Sequence, residues 1–435
     1  MEKMPVGIGL LGCGNVGSAL VRLLDKGDIK KMLEIKAIAV NDLTKKRPDF
    51  VHLDLLSDDP QSVITRDDVQ IVVELIGGIE PAKSLILKAL NAGKSVISGN
   101  KELLANHGME LANAANKAGV DLLYEASVAG AIPLVRLLRE SLAGEEIVRV
   151  LGIVNGTTNY ILTQMTEFGI DFKNALGQAQ NLGYAERDPE ADIEGMDAAS
   201  KASILASIAF GADVVFDDVF REGITGLETY DISYATKMGY VVKLLAIIEM
   251  VEGPRSSTES GGTRKLSVRV HPALVSADHP LASVRGPFNA IFIEGEAAGD
   301  LMLYGKGAGG APTASAVLGD ILDAAHNISF GASSRNLKRE TVDFAPVNDI
   351  TTRYYLALDV IDEPGVLAEV AKVFGMNKVS ISSMEQVETN EGARLVFFTH
   401  VALEKNLQAT KRDLGNLSVV KKVGSIIRIL DGGQE

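Results

Sequence analysis

A short apolar run that ends on a spaced set of glycines constrains this chain more than any other stretch. Val6 to Leu11 reads as a buried strand, and Gly12-Cys13-Gly14-Asn15-Val16-Gly17 follows at once. Ser18 to Leu24 then reads as a helix. Strand, G-x-G-x-x-G and helix in that order form the context a dinucleotide fingerprint needs. Gly12 permits the tight turn, Gly14 lets a pyrophosphate approach the backbone, and Gly17 lets helix and strand pack closely. The helix N-terminus turns its N–H groups and positive dipole end towards the phosphates. Gly12, Gly14, Asn15, Val16 and Gly17 are therefore the candidate cofactor loop.

The next segments extend the same pattern. A second strand, Ile35 to Val40, ends at Asn41-Asp42, where an acid would hold a ribose 2′-hydroxyl and favour NAD. Lys45, Lys46 and Arg47 come directly afterwards. They read either as a solvated loop or as cations for a 2′-phosphate, so NADP and NAD both stay open. Val69 to Ile76 is continuously apolar, as in a parallel sheet buried on both faces, and ends at Gly77-Gly78. Ser95 to Ser98 is a further strand, followed by Gly99-Asn100-Lys101. Lys101 thus falls at a strand's carboxyl end, where open α/β sheets bind ligands. The loop from Glu125 to Pro133 is built of small residues, and its backbone carbonyls are candidate ligands for a hard monovalent cation.

The middle of the chain carries the acids. Asn155-Gly156-Thr157-Thr158-Asn159 precedes an expected helix over Tyr160 to Phe168, reading as capping residues or as a polar pocket wall. From Gly183 to Lys201 the chain gathers Glu186, Asp188, Glu190, Asp192, Glu194 and Asp197 before one lysine. Asp197 and Lys201 are four apart at a helix start and share a face. This reads as an exposed ion pair on an acidic turn, or as a lysine held among carboxylates at a pocket. Leu244 to Val251, Leu266 to Val270 and Ala290 to Ile293 are expected strands, Pro254 to Thr263 an inserted loop. The glycine-dense Leu301 to Gly310 leads into a helix expected over Ala311 to Ala325 that returns to the first domain.

With 435 residues, two or three domains are expected, and 46% hydrophobic content supports full cores. The net charge of −14 without a basic stripe argues against nucleic-acid or anionic-membrane partners. No apolar run is long enough to span a bilayer. The lone Cys13 and the lack of a leader pattern lead us to expect a cytoplasmic protein.

Taken together, GLLGCGNVG, SGNKELLANHG, EASVAGAIPLV, NGTTNYIL, GYAERDPEADIEGMDAASK, RVHPALVSADHPLASV and YGKGAGGAPTASAVLGD resemble bacterial homoserine dehydrogenase over residues 5 to about 340. The resemblance implies reversible reduction of L-aspartate 4-semialdehyde to L-homoserine with NADPH or NADH, on the route to threonine, methionine and isoleucine. It implies Lys201 as the proton donor, with Lys101 nearby and Asp197 positioning Lys201. Gly183, Glu186, Asp192 and Asp197 would form the substrate segment, and Lys101, Gly156 and Gly307 would contact cofactor. It further implies a sodium site at Glu125, Val128, Gly130 and Ile132. Family members commonly have arginine after the second strand; here the residue is Asn41, which leaves the NADP preference open.

The tail follows a β-α-β-β-α-β order. Asp362 to Leu367 and Lys378 to Ile381 resemble the turn and facing strand of an ACT domain. That resemblance implies an amino-acid effector, threonine by its place in the route, at Asp362, Gly365, Val366 and Leu367; a dimerisation module without ligand is the other reading. The expected architecture is a Rossmann-type nucleotide domain over 1–150 completed by 306–345, an α+β substrate and dimerisation domain with an open sheet over 151–305, and a ferredoxin-like regulatory domain over 350–435. A homodimer or homotetramer is expected. A nucleotide- and amino-acid-sensing regulator without turnover and a dehydrogenase for another amino-acid aldehyde are the competing functions.

Overall fold

A computed structural model describes residues 5–252, 264–334, 342–389 and 392–430. The loop expected over Pro254 to Thr263 lies outside the described residues. Two compact units emerge, one of residues 1–147, 200–219 and 289–341, the other of residues 148–199, 220–288 and 342–435.

The first unit is organised by a wholly parallel sheet. Its strands are β1 (Val6–Leu11), β2 (Leu33–Ala39), β3 (Leu56–Ser57), β4 (Ile71–Glu74), β5 (Ser95–Ser98) and β6 (Leu122–Leu123), in the order β3-β2-β1-β4-β5-β6. The order reverses at β1 and β4, and ligands bind outside the carboxyl ends of strands at such a switch point. The fold is the expected Rossmann-type sheet. Ile8, Leu10, Ile38, Ile71, Val73 and Ile97 form its core, and Ala314, Val317, Ile321 and Ala324 of the helix Gly310–Phe330 join it. Small residues on that helix let it lie close against the sheet, although its core partners on β1, β2, β4 and β5 lie more than 200 positions earlier in the chain.

The later strands are mostly longer. They are β7 (Ile147–Ile153), β8 (Phe220–Arg221), β9 (Tyr240–Glu252), β10 (Arg264–Ser276), β11 (Phe288–Gly295) and β12 (Gly299–Lys306). β9 is antiparallel to both β7 and β10, while the two-residue β8 runs parallel to β10. β10 runs past Val270, where the sequence suggested an end, through His271 and Pro272. Pro272 lacks an amide donor, but β9 pairs alongside it, opposite Leu244, and carries the strand through. The stretch from Leu301, expected as a loop before a helix, is strand as far as Lys306; its alternating exposure is the period-two signature of a half-buried strand.

The tail comprises β13 (Thr351–Val360), β14 (Ile381–Thr389), β15 (Gly392–Thr399), β16 (Ala402–Leu403) and β17 (Val420–Ile429), with helices Val366–Met376 and Glu404–Gly415. Tyr354, Leu356, Leu358, Val370, Phe374 and Phe397 fill its core. It belongs to the second unit, where the strand order β7-β9-β10-β17-β13-β15-β14 is continuous. β17 runs parallel to β10, with Ala273 opposite Arg428 and Leu274 opposite Ile429.

Candidate active site

The glycine loop takes the form its spacing demands. Gly12 has φ +99°, and a Cβ on it would fall 2.6 Å from the Leu75 carbonyl oxygen. A Cβ on Gly17 would fall 2.4 Å from the Gly12 carbonyl oxygen. Gly14 has nothing within 4 Å of such a Cβ, so the loop is closed on its inner side and open where a pyrophosphate would lie. Gly14 caps the helix Asn15–Leu24 without a side-chain bond, leaving Asn15 and Val16 in its first turn. This cradle fits a dinucleotide. A Cβ on Gly310 would fall 3.2 Å from the Asn15 carbonyl oxygen, so the Gly307–Gly310 loop adjoins the cradle.

The carboxyl ends of β4 and β5 are tied together by a residue that the sequence did not single out. Glu74 is fully buried. One of its oxygens accepts from the N–H groups of Ile76 at 2.8 Å and Gly77 at 3.1 Å; the other accepts from Ser98 Oγ at 2.7 Å. The Asn100 N–H donates to Ser98 Oγ, its Nδ2 to the Gly78 carbonyl, and its Oδ1 caps the helix Lys101–Ala118 through the Leu103 N–H. Lys101 is the first residue of that helix and is held where this network puts it. A carboxylate ending an apolar strand just before Gly-Gly was the available signal.

At the end of β2, Asp42 accepts from the N–H and hydroxyl of Thr44, which hold its carboxyl below the usual range. Arg47 donates to the carbonyls of Asp42 and Lys45. The guanidinium is thereby committed to the loop itself, while Asn41, Lys45 and Lys46 are exposed.

The acidic segment converges on one amide. Helix Gly156–Phe168 starts four residues before the expected Tyr160, because Asn155 caps it through Oδ1 and the Thr158 N–H at 2.8 Å. The Nδ2 of Asn155 donates to Asp192 at 2.7 Å and to Asp197 at 2.9 Å. Asn155, also missing from the expected site, thus clasps the two carboxylates. Gly156 opens the helix behind it. Asp197 and Lys201 lie one turn apart on the helix Met196–Ala209, and both are buried, Lys201 with 9% of its surface exposed. That burial excludes the exposed ion pair. Glu186 and Gly183 lie on an exposed stretch outside the clasp. Thr157 Oγ1 holds that stretch by donating to the Tyr184 carbonyl at 2.6 Å.

The 125–133 loop is rigid in an informative way. Both Glu125 oxygens accept backbone N–H groups, from Leu134 at 2.6 Å, Val135 at 2.9 Å and Arg136 at 2.8 Å. Its carboxylate therefore caps the next helical turn, so at this loop a cation would meet Glu125 through its carbonyl. Ala129 and Gly130 both have positive φ. A Cβ on Gly130 would lie 2.5 Å from the Gly307 carbonyl oxygen, and the Ala131 N–H donates to the Lys306 carbonyl. The carbonyl-rich loop and the Gly307 loop are thus back to back. Among the described residues no group of three or more His, Cys, Asp or Glu side chains is arranged for a metal ion.

In the tail, Gly365 has φ +96° and caps the helix Val366–Met376. Gln386 Nε2 reaches Asp362 at 3.4 Å. The Val366 side chain is in the core and offers a ligand only its backbone, whereas Leu367 is exposed. No helix among the described residues is long and apolar enough to cross a membrane.

A nucleotide cradle at the switch point of a parallel sheet defines a dinucleotide-binding protein. Family models for the homoserine dehydrogenase NAD-binding domain, homoserine dehydrogenase and the ACT domain match residues 12–125, 133–322 and 354–419. A homoserine dehydrogenase of Corynebacterium glutamicum is 50% identical over 431 residues, 98% of this chain and 95% of that one. The chain belongs to the homoserine dehydrogenase family. The crystal structure of a homoserine dehydrogenase from Thiobacillus denitrificans matches with TM-score 0.90 at 36% identity, over 98% of both chains. A hyperthermophilic archaeal homoserine dehydrogenase in complex with NADPH matches with TM-score 0.61 at 30% identity, over 77% of this chain and 100% of that one.

Proposed function

We propose that the enzyme interconverts L-aspartate 4-semialdehyde and L-homoserine at a site built from Asp192, Asp197 and Lys201. The observation that carries this reading is the Asn155 amide joining Asp192 to Asp197 one helical turn from the buried Lys201. The neutral amide orients the two carboxylates side by side, and the pair suits the substrate's ammonium group. The nicotinamide, when bound, supplies or accepts the hydride at the substrate carbon. In the reducing direction negative charge builds on the carbonyl oxygen. The Lys201 ammonium stabilises that charge and donates its proton there; in the oxidising direction its amine takes the hydroxyl proton. Lys101, set by Asn100, adds a second positive charge near cofactor and substrate. Gly183 and Glu186 border the site and belong to the segment that holds substrate.

Gly12, Gly14, Asn15, Val16 and Gly17 hold the pyrophosphate, and Lys101, Gly156 and Gly307 approach the nicotinamide end. NADP is the preferred cofactor: Asp42 is occupied by Thr44, and Lys45 and Lys46 stand exposed beside the strand end. A sodium ion binds the carbonyls of Glu125, Val128, Gly130 and Ile132 and stiffens the loop that backs Gly307. Threonine binds the tail at Asp362, Gly365, Val366 and Leu367 and lowers activity. The nucleotide region 1–150 with 306–345, the substrate region 151–305 and the regulatory region 350–435 divide these tasks in a cytoplasmic homodimer or homotetramer.

The test is direct. Purified protein is mixed with L-homoserine and NADP or NAD, and reduced-cofactor absorbance is followed. Turnover with NADP exceeding that with NAD is expected; no turnover with either cofactor refutes the assignment of chemistry to this site.

A further inference from the structure

Between Asp192 and Asp197 the chain passes through Ile193, Glu194, Gly195 and Met196, and this stretch sets the spacing of the two carboxylates. A second segment, Glu222 to Thr225, grips it. The Ile224 N–H donates to the Ile193 carbonyl at 2.9 Å, and Thr225 Oγ1 donates to Glu194 at 2.9 Å. Gly223 lies so close that a Cβ there would stand 2.4 Å from the Ile193 carbonyl oxygen and 2.7 Å from Glu194 Cα. Only glycine fits without displacing that backbone.

The gripping segment is anchored at its near end by two different parts of the second unit. The Glu222 N–H donates to the Val270 carbonyl on β10 at 2.8 Å. Its side chain reaches the tail, accepting from Arg428 Nη1 of β17 at 2.8 Å. Arg428 is otherwise locked inside the tail by Glu404, through Nε at 2.9 Å and Nη2 at 2.7 Å. The pair is unequal. The side chains of Arg428 and Glu404 are 5% and 2% exposed, but that of Glu222 is 44% exposed. It borders a cleft of about 460 Å³ that Gly223, Gln408 and Lys411 also line. Glu222 has room to swing away from Arg428, whereas Arg428 has nowhere to go.

We propose that Glu222 and Arg428 are positioning residues for substrate binding. The ion pair holds the 222–225 strap, the strap holds Ile193 and Glu194, and these set Asp192 and Asp197 for the substrate's ammonium group. A tail residue 231 positions beyond Asp197 thereby becomes part of the support of the substrate site. The inference rests on the reading of Asp192 and Asp197 as the ammonium clasp.

Four variants of the full chain test it in the homoserine-oxidising direction: Glu222→Gln, Glu222→Asp, Gly223→Ala and Asp192→Asn. Glu222→Gln and Gly223→Ala are expected to raise the KM for L-homoserine about fivefold or more while kcat and the dissociation constant of NADPH change by less than about twofold. Glu222→Asp, which restores the charge, recovers part of the loss. A purely structural role would lower the melting temperature and the active fraction and leave KM alone. If Asp192→Asn raises KM while Glu222→Gln and Gly223→Ala do not, the clasp stands and the strap assignment is overturned. If Asp192→Asn also leaves KM unchanged, the clasp reading fails and takes this inference with it.

Discussion

Lys201 shows how a single residue's burial decides between two roles. A lysine four residues after an aspartate is usually a solvated partner worth well under ~1 kcal/mol. Here the side chain is enclosed, and so is Asp197. Burying an ammonium is costly unless it is paired and hydrogen-bonded, so a residue held this way is a strong candidate for chemistry. Lys201→Ala is expected to lower kcat by roughly 10²–10⁴-fold, the range for loss of a positioned proton donor. The affinity for NADPH, read by quenching of its fluorescence, should be unchanged; loss of cofactor binding would assign the lysine to the nucleotide instead. The type and position of this lysine were legible in the sequence. Its enclosure was not, because burial depends on elements distant in the chain. Glu74 went unrecognised, and Asn155 was legible only as a cap or a pocket wall, for a related reason. An asparagine before a helix reads as a cap, and it is one, but its second amide function is engaged only when residues 37 and 42 positions later fold back onto it.

At the scale of elements, the helix Gly310–Phe330 seals the nucleotide unit and brings a buried acid with it. Asp320 accepts the Glu125 N–H at 2.8 Å and lies 3.3 Å from Arg136 Nη2. Burial, followed by the nearby Glu125 charge, pushes its carboxyl up from 3.8 to about 7, against the lowering effect of that N–H and of the arginines. The folded protein therefore binds a proton between these values that the unfolded chain has released. The stability this group contributes is full below pH 3.8 and is lost as pH rises through about 7. Asp320→Asn should flatten the fall in urea midpoint across that window; an unchanged profile would show that Asp320 stays ionised when folded. Element types were largely readable, since the apolar runs of β1, β2, β4 and β5 carry their own signal. Ends were harder to read. Pro272 signals a break that β9 overrides by pairing, and a cap at Asn155 starts a helix earlier than its apolar residues suggest.

For the whole molecule, the tail is more than an appended sensor. Tyr355 donates to Asp231 at 2.8 Å, and Ser425 donates to the same carboxylate, which is buried in the helix Thr229–Lys237. The Leu430 N–H extends β17 along β10 by donating to the Leu274 carbonyl at 2.9 Å. Removing residues 349–435 would uncover the edge of β10 and strip Asp231 of two partners. An exposed edge recruits other strands, and a carboxylate that keeps only the Glu228 N–H of its three donors is less well satisfied. The truncated chain is thus expected to melt lower than the full chain and to aggregate in size-exclusion chromatography, beyond any loss of amino-acid response. A truncated protein that stays monodisperse with an unchanged melting temperature would show the tail to be separable.

The sequence by itself determined the local chemistry: a glycine spacing that only a nucleotide turn requires, apolar strands that must be buried, and an acid-rich segment ending in one lysine. Those features are set by neighbours a few residues apart, so they survive in a linear reading. The tertiary structure alone decided which acids meet, that Glu125 caps a helical turn with its carboxylate, and that an arginine near residue 430 braces the strap behind Asp192. Such contacts join groups tens to hundreds of positions apart, and their geometry exists only after the layers have packed.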